Sequence, residues 1–286
     1  MREYIKLLRC QHYIKNILIF LPFICGGQLF NGSLWINVIL GFFSFSFLSS
    51  SVYIINDIKD KEKDKLHPTK CKRPIASGAV QVGTAVCLAV LLVIISAICN
   101  YFTYSGWLSW LVLILYFTLN IGYSFGLKNL PIIDIFILVS GFFLRVLYGS
   151  FITETEISNW MYLTVMMFSF YLGLGKRRNE LIKNKEGTTR GVLKYYNQNF
   201  LDKFMYLCLA ITIIFYSLWC VDATTVAKLG NRLIWTIPFV IAICMKYSLD
   251  IEGNNDGDPV NVVLKDKFLF FASILFVVAF TLLVYI

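Results

Sequence analysis

Nine apolar runs follow one another along this 286-residue chain, at 14–31, 34–55, 82–101, 106–126, 131–152, 158–175, 200–220, 232–248 and 267–285. A helix that crosses a bilayer needs about 20 mostly apolar residues. These runs occupy most of the sequence, which predicts an all-α, polytopic membrane protein. The expected architecture is a helical bundle of about nine transmembrane helices in a single integral-membrane domain, residues 1–286. Composition agrees: 58% hydrophobic residues and a mean hydropathy of +0.69 exceed what a soluble domain carries. Arg2, Lys6, Arg9 and Lys15 flank the first run as they would a signal peptide. No convincing small-residue cleavage site follows, so the run is expected to remain as a helix.

The charge pattern orients the bundle. With the N-terminus in the cytoplasm, 23 of the 26 Lys and Arg residues fall on the inner face. Lys228 and Arg232 fall outside, and Arg145 lies within a span. The positive-inside rule therefore predicts a cell-membrane protein with its N-terminus in and its C-terminus out. The net charge of +9 is explained by orientation and by anionic ligands. No basic helix of the DNA-reading kind is present, which excludes nucleic acid as a partner. Short connections at 31–33, 102–105 and 153–157 mark the outer face, and long charged ones at 57–80, 176–199 and 249–266 mark the inner face. Long loops commonly bind something, so the active face is expected to be cytoplasmic. Eight cysteines without a C-x-x-C pair, and only two histidines, predict neither disulfide nor zinc.

The first charged segment, residues 56–74, reads NDIKDKEKDKLHPTKCKRP. At about 100° per residue, Asp57, Asp60 and Asp64 share one helix face. Carboxylates in that arrangement suit Mg²⁺, which takes a few of them together with phosphate oxygens and water. The cations that follow, Lys65, Lys70 and Arg73 with His67 among them, suit phosphate charge that a metal does not reach. The pattern points to a metal–diphosphate site.

The second charged segment has a different chemistry. Lys176, Arg177 and Glu180 end the sixth run, and Arg190 and Lys194 follow, with no aspartate from Ile135 to Leu201. Cations without carboxylates suit a bare phosphate. For Lys183 and Lys185, membrane orientation alone is a sufficient explanation. Asp134 and Arg145 lie 11 residues apart on the fifth run and share a face. Buried charges of this kind face either a ligand or a partner helix, and both readings stay open. Tyr123 and Lys128 precede this run at the inner boundary, and Lys15 and Asn16 open the first run on the same side. Snorkelling to the interface and phosphate contact both account for Lys15. The third inner segment holds Asp256 and Asp258 in a Gly/Asn/Pro context and reads as an ordered lid or turn.

These residues resemble the UbiA superfamily of intramembrane prenyltransferases, and most of all its decaprenyl-phosphate phosphoribosyltransferase branch. The likeness runs over nearly the whole chain. It includes Arg9, Gln11, Lys15 and Asn16, then the run from Asn56 through Arg73, then Tyr123, Ser124 and Lys128. Asp134 with SGFFLR ending at Arg145, Gly175 to Glu180, Arg190 with Tyr195, Gly257 to Val260 and Asp266 complete it in order. Two departures stand out. The aromatic after the N-terminal glutamine is displaced, as His12-Tyr13, and the second segment lacks the aspartates of prenyl-diphosphate-using relatives.

The resemblance implies transfer of 5-phosphoribose from phosphoribosyl diphosphate to a polyprenyl phosphate, with release of diphosphate, for surface-glycan precursors. It implies Mg²⁺ on Asn56, Asp57, Asp60 and Asp64. Asp57, Asp60 and Lys15 would be catalytic. Lys15, Lys65, His67, Lys70, Arg73, Tyr123, Lys128 and Asp134 would hold the donor. Lys176, Arg177, Arg190 and Arg145 would hold the lipid phosphate. Membrane lipids are the remaining partners, and homo-oligomerisation is left open. Two rivals remain: a prenyltransferase acting on an aromatic or haem acceptor, which wants a carboxylate-rich second segment, and an anion transporter lined by Asp134 and Arg145.

Overall fold

The structure is a computed structural model that describes residues 2–183, 191–253 and 258–285, and every regular element among them is helical. Helix α1 (Arg2–Leu8) leads into a 3-10 segment, Cys10–Phe20, which continues as α2 (Leu21–Cys25). Then come α3 (Gly32–Lys59), α4 (Lys61–Lys65), α5 (Val82–Tyr101), α6 (Trp107–Phe125), α7 (Ile133–Thr153) and α8 (Asn159–Lys183). The chain ends with α9 (Gln198–Val221), α10 (Ala223–Leu229), α11 (Ile237–Glu252), α12 (Pro259–Lys265) and α13 (Lys267–Tyr285). Short 3-10 turns occupy Lys70–Lys72, Leu127–Asn129, Gly191–Tyr195 and Asn231–Thr236.

Seven of these helices are long and apolar enough to cross a membrane, with α11 counted from Asn231. Two of the nine expected runs fall outside these seven. Helix α8 is 25 residues long, but its last part, GKRRNELIK, is polar and keeps it outside the seven. The first apolar run is a shorter element, Cys10–Cys25. A 3-10 helix rises about 2.0 Å per residue against 1.5 Å for an α-helix. By that measure, 11 residues of the first kind and five of the second span about 30 Å, close to the hydrocarbon thickness.

Two compact units are distinguished. The first comprises Met1–Phe23, Asn31–Ile137 and Leu144–Thr155, and the second Ile24–Phe30, Leu138–Phe143 and Glu156–Ile286. In the first unit α3 is the hub and packs along α5, α6 and the 3-10 segment. Its sequence FSFSFLSSS explains why. Small hydroxyl side chains admit close helix approach and supply bonds across helices where lipid gives no hydrophobic drive. Ser44 Oγ donates to the Ser96 carbonyl at 2.9 Å, Ser49 Oγ meets the Tyr116 hydroxyl at 3.1 Å, and Ser50 Oγ donates to the Leu8 carbonyl at 2.7 Å. Around them Ile19, Phe45, Leu48, Tyr116, Leu144 and Tyr148 form a buried core. Gly149 of α7 allows the 3-10 segment to lie backbone against helix, since a Cβ there would sit 2.1 Å from the Ile19 carbonyl oxygen.

In the second unit α8 pairs along its length with α9, and α11 and α13 pack together. Tyr171 meets Ser248 Oγ at 2.6 Å, and Tyr216 meets Thr236 Oγ1 at 2.6 Å. These bonds satisfy phenol groups that burial would otherwise leave without partners.

Candidate active site

The acidic motif begins inside α3 rather than after it, because the helix continues past its apolar run to Lys59. Asn56 and Asp57 therefore lie on its last turn, Asp60 ends it, and α4 carries Asp64. Asp57 is buried, with 2% of its surface exposed. Its Oδ1 accepts from Arg9 Nη2 at 2.5 Å and from Arg73 Nη1 at 3.1 Å. The same Arg73 nitrogen donates to Asp64 Oδ2 at 2.6 Å, and Asp64 is also buried. One guanidinium thus holds two carboxylates together, nine and 16 residues away in sequence. Asp60 is held separately: both its oxygens accept from Lys128 Nζ, at 2.7 and 2.8 Å. Asn56 Oδ1 accepts from Ser124 Oγ at 3.1 Å.

Asp57 and Asp64 thus share Arg73, and Asp60 sits on Lys128. Among the described residues no group of three His, Cys, Asp or Glu side chains forms a metal cage. Each of the three carboxylates takes a cation, and the cations come from different parts of the chain, Arg73 from the segment after α4 and Lys128 from the turn after α6. The oxygen-only donor set still fits Mg²⁺, which commonly takes one or two carboxylates and draws its other ligands from substrate phosphates and water.

Arg9, the first residue of the N-terminal pattern with Gln11, Lys15 and Asn16, lies on Asp57. Its guanidinium also lies over the Tyr53 ring, 5.1 Å from the centroid. Its backbone is left-handed, with φ of 53°, at the junction of α1 and the 3-10 segment. Ile132, a β-branched residue just before α7, has φ of 71°. Such conformations are costly and persist where the surroundings impose them.

The other predicted donor residues distribute as follows. Lys65 is exposed and donates to Glu62 at 2.9 Å, which holds that carboxyl below its usual range. His67 Nδ1 accepts from the Thr69 N–H at 3.2 Å, so the ring proton belongs on Nε2. Burial, then the positive charge of Lys70, lowers its pKa below the ordinary imidazole value, so it is a neutral donor at pH 7 rather than a cation. Lys15, Lys70 and Tyr123 are half-buried. Asp134 is fully buried in the first turn of α7, where the helix dipole favours a negative group.

The second unit builds a cationic cluster at the C-terminal end of α8. Arg177 is fully buried and donates to Glu180 at 2.8 Å. Arg178, which no sequence motif singles out, is bonded to Asp202 of α9. Lys176 is half-buried and donates to Asp258 at 3.4 Å. Asp258 also accepts from the Val260 N–H at 3.1 Å and so caps α12. Arg190 and Asp256 lie outside the described residues. Arg145 lies in the first unit. It is 5% exposed, and its Nε donates to Asn16 Oδ1 at 2.6 Å.

Residues 18–191, more than half of the chain, match the model of the UbiA prenyltransferase family. The protein belongs to the UbiA prenyltransferase family. Among UbiA relatives, the decaprenyl-phosphate phosphoribosyltransferase of Corynebacterium glutamicum is 32% identical over 288 residues, covering 99% of this chain and 86% of its own. That of Mycolicibacterium smegmatis is 32% identical over 279 residues, covering 93% and 87%. A UbiA homolog from Archaeoglobus fulgidus bound to DMAPP and Mg²⁺ superposes with a TM-score of 0.72 at 18% identity, over 99% of each chain. At that identity the likeness establishes the UbiA fold.

Proposed function

We infer that this protein is an integral-membrane enzyme that transfers 5-phosphoribose from phosphoribosyl diphosphate to a polyprenyl phosphate. The C1–O bond to diphosphate breaks, a bond from C1 to an acceptor phosphate oxygen forms, and diphosphate leaves. One observation carries the reading. In the first unit Asp57, Asp60 and Asp64 are paired with Arg9, Arg73 and Lys128, and in the second the end of α8 carries Lys176, Arg177 and Arg178, paired with Asp258, Glu180 and Asp202. The near end-to-end similarity to decaprenyl-phosphate phosphoribosyltransferases supports the same donor and acceptor classes.

The acceptor is already an anion, so no general base is required, in keeping with a site rich in Lys, Arg and Asp and poor in His. Arg9, Arg73 and Lys128, held by carboxylates, neutralise diphosphate charge as it develops on the leaving group. His67 contributes a neutral donor. Asn56, Asp57, Asp60 and Asp64 would hold Mg²⁺, which when bound would supply Lewis-acid neutralisation of the leaving group. Lys176 and Arg177 address the acceptor phosphate, and Arg190 shares that role. The positive-inside rule places this chemistry on the cytoplasmic face.

The test is an assay of the purified protein with labelled phosphoribosyl diphosphate, a long polyprenyl phosphate and Mg²⁺. A lipid-soluble labelled product that disappears with EDTA is expected. Absence of that product, with turnover of a prenyl diphosphate onto an aromatic acceptor, replaces the reading with prenyl transfer.

A further inference from the structure

The 3-10 segment Cys10–Phe20 is clamped at both ends of its polar half. At the start, Arg9 is bonded to Asp57. Further on, Asn16 is fully buried, its Oδ1 accepting from Arg145 Nε at 2.6 Å and its Nδ2 donating to Ser46 Oγ at 2.8 Å. One turn beyond Arg145 on α7, Gly149 admits the Ile19 backbone. Arg145 and Gly149 thus grip the segment by a side chain and by a close backbone approach, four residues apart on one helix face.

The guanidinium is itself fixed, 4.9 Å from the Phe45 ring centroid and 5.2 Å from that of Tyr116, and within 3.4 Å of the Tyr116 hydroxyl. A buried cation in a membrane protein is costly, and an apolar side chain fills a helix interface at less cost. A 3-10 run of 11 residues is also unusual, since its hydrogen bonds are poorer than those of an α-helix. Its geometry is therefore imposed by tertiary contacts, and polar ones act on Tyr13, which meets Ser50 Oγ at 2.8 Å, and on Asn16, the residue next to Lys15.

We propose that Arg145 is a positioning residue for the donor site: through Asn16 it holds the 3-10 segment in the register that presents Lys15 and Arg9 to the phosphates of the sugar donor. This rests on the functional reading above. It takes Arg145 out of the acceptor site and gives α7 a role in donor affinity.

The test uses the full chain. Arg145→Met, which keeps the apolar stem and removes the donor group, is expected to raise the KM for phosphoribosyl diphosphate about tenfold, the size of one lost bond to a charged group. The KM for the polyprenyl phosphate is expected to stay within about twofold, and Arg145→Lys to fall between wild type and Met. Asn16→Leu is expected to match Arg145→Met, and the double variant to be no worse than either, because both act through one contact. Equal shifts in both KM values, or additive effects in the double variant, overturn the proposal. Should Arg145→Met fail to accumulate as folded protein, Ser46→Ala is read instead. It removes only one hydroxyl from the Asn16 amide. A donor-selective rise in KM is expected there, and an unchanged donor KM overturns the proposal. Wild-type turnover tests the functional reading separately: its absence removes that reading, whereas turnover with a non-selective Arg145→Met defect removes only the clamp.

Discussion

Asp57 and Asp60 are three residues apart yet differ in setting. Asp57 is buried against two guanidinium groups, while Asp60 is partly exposed and held by one lysine. Removing the charge at Asp57 leaves Arg9 without that partner and Arg73 with Asp64 alone. Removing it at Asp60 frees only Lys128. Both substitutions to Asn are expected to reduce turnover by at least about 100-fold, because each removes charge that the diphosphate site needs. Their effects on stability should separate. Asp60→Asn should cost under about 1 kcal/mol, as partly exposed pairs do, and Asp57→Asn about 3 kcal/mol, as a broken buried pair does. Thermal unfolding of the two variants beside the turnover assay checks this. Equal stability loss would show that the burial difference has no energetic weight.

At the scale of elements, glycines and caps govern how helices meet. A Cβ on Gly41 would sit 2.2 Å from Ile152 Cδ1, the movable end of a side chain, whereas one on Gly149 would meet the Ile19 carbonyl. Gly149→Ala should therefore destabilise by about 1–3 kcal/mol or more, and Gly41→Ala by less, since overpacking is cheap only where the neighbour yields. Unfolding midpoints of the two variants decide it, and a larger loss at Gly41 contradicts it. Asp266 joins α11 to α13. It accepts from Lys246 at 2.7 Å and from the Leu269 N–H at 2.7 Å, and the Lys246 bond is the main cause of its lowered pKa. A carboxyl whose pKa is lower folded than unfolded stabilises above its unfolded value and loses that contribution as pH falls through the folded one. Asp266→Asn should lower the unfolding midpoint at neutral pH, and the gap from wild type should close below about pH 4, the ordinary aspartate range. A gap that is constant with pH would assign the effect to packing.

For the whole molecule, the distribution of cations predicts a cytoplasmic N-terminus and an outward C-terminus. Fusion of alkaline phosphatase after residue 286 should give active enzyme, and a green fluorescent protein at the same place should stay dark. The reverse pattern would invert the orientation and move the charged segments away from cytoplasmic phosphoribosyl diphosphate. The helical class was legible because apolar runs of spanning length can be read without knowing any contact. The departures occurred where charge and hydrogen bonding outweighed hydropathy. Helix α8 continues for eight residues past its predicted end at 175, through Lys176 to Lys183, and the first run adopts 3-10 geometry through part of its length.

Read alone, the amino-acid order specifies an all-helical membrane protein of the UbiA kind, with a carboxylate-rich segment and a cation-rich one. Burial of apolar side chains, helical periodicity and charge sorting across a bilayer are sums over neighbouring residues, so they are written locally. The tertiary structure alone decided which charges meet. Arg9 reaches Asp57 across 48 positions, Lys128 reaches Asp60 across 68, and Arg145 reaches Asn16 across 129. Coulomb and hydrogen-bond energies depend on separation in space and on local burial, and neither is a function of position along the chain.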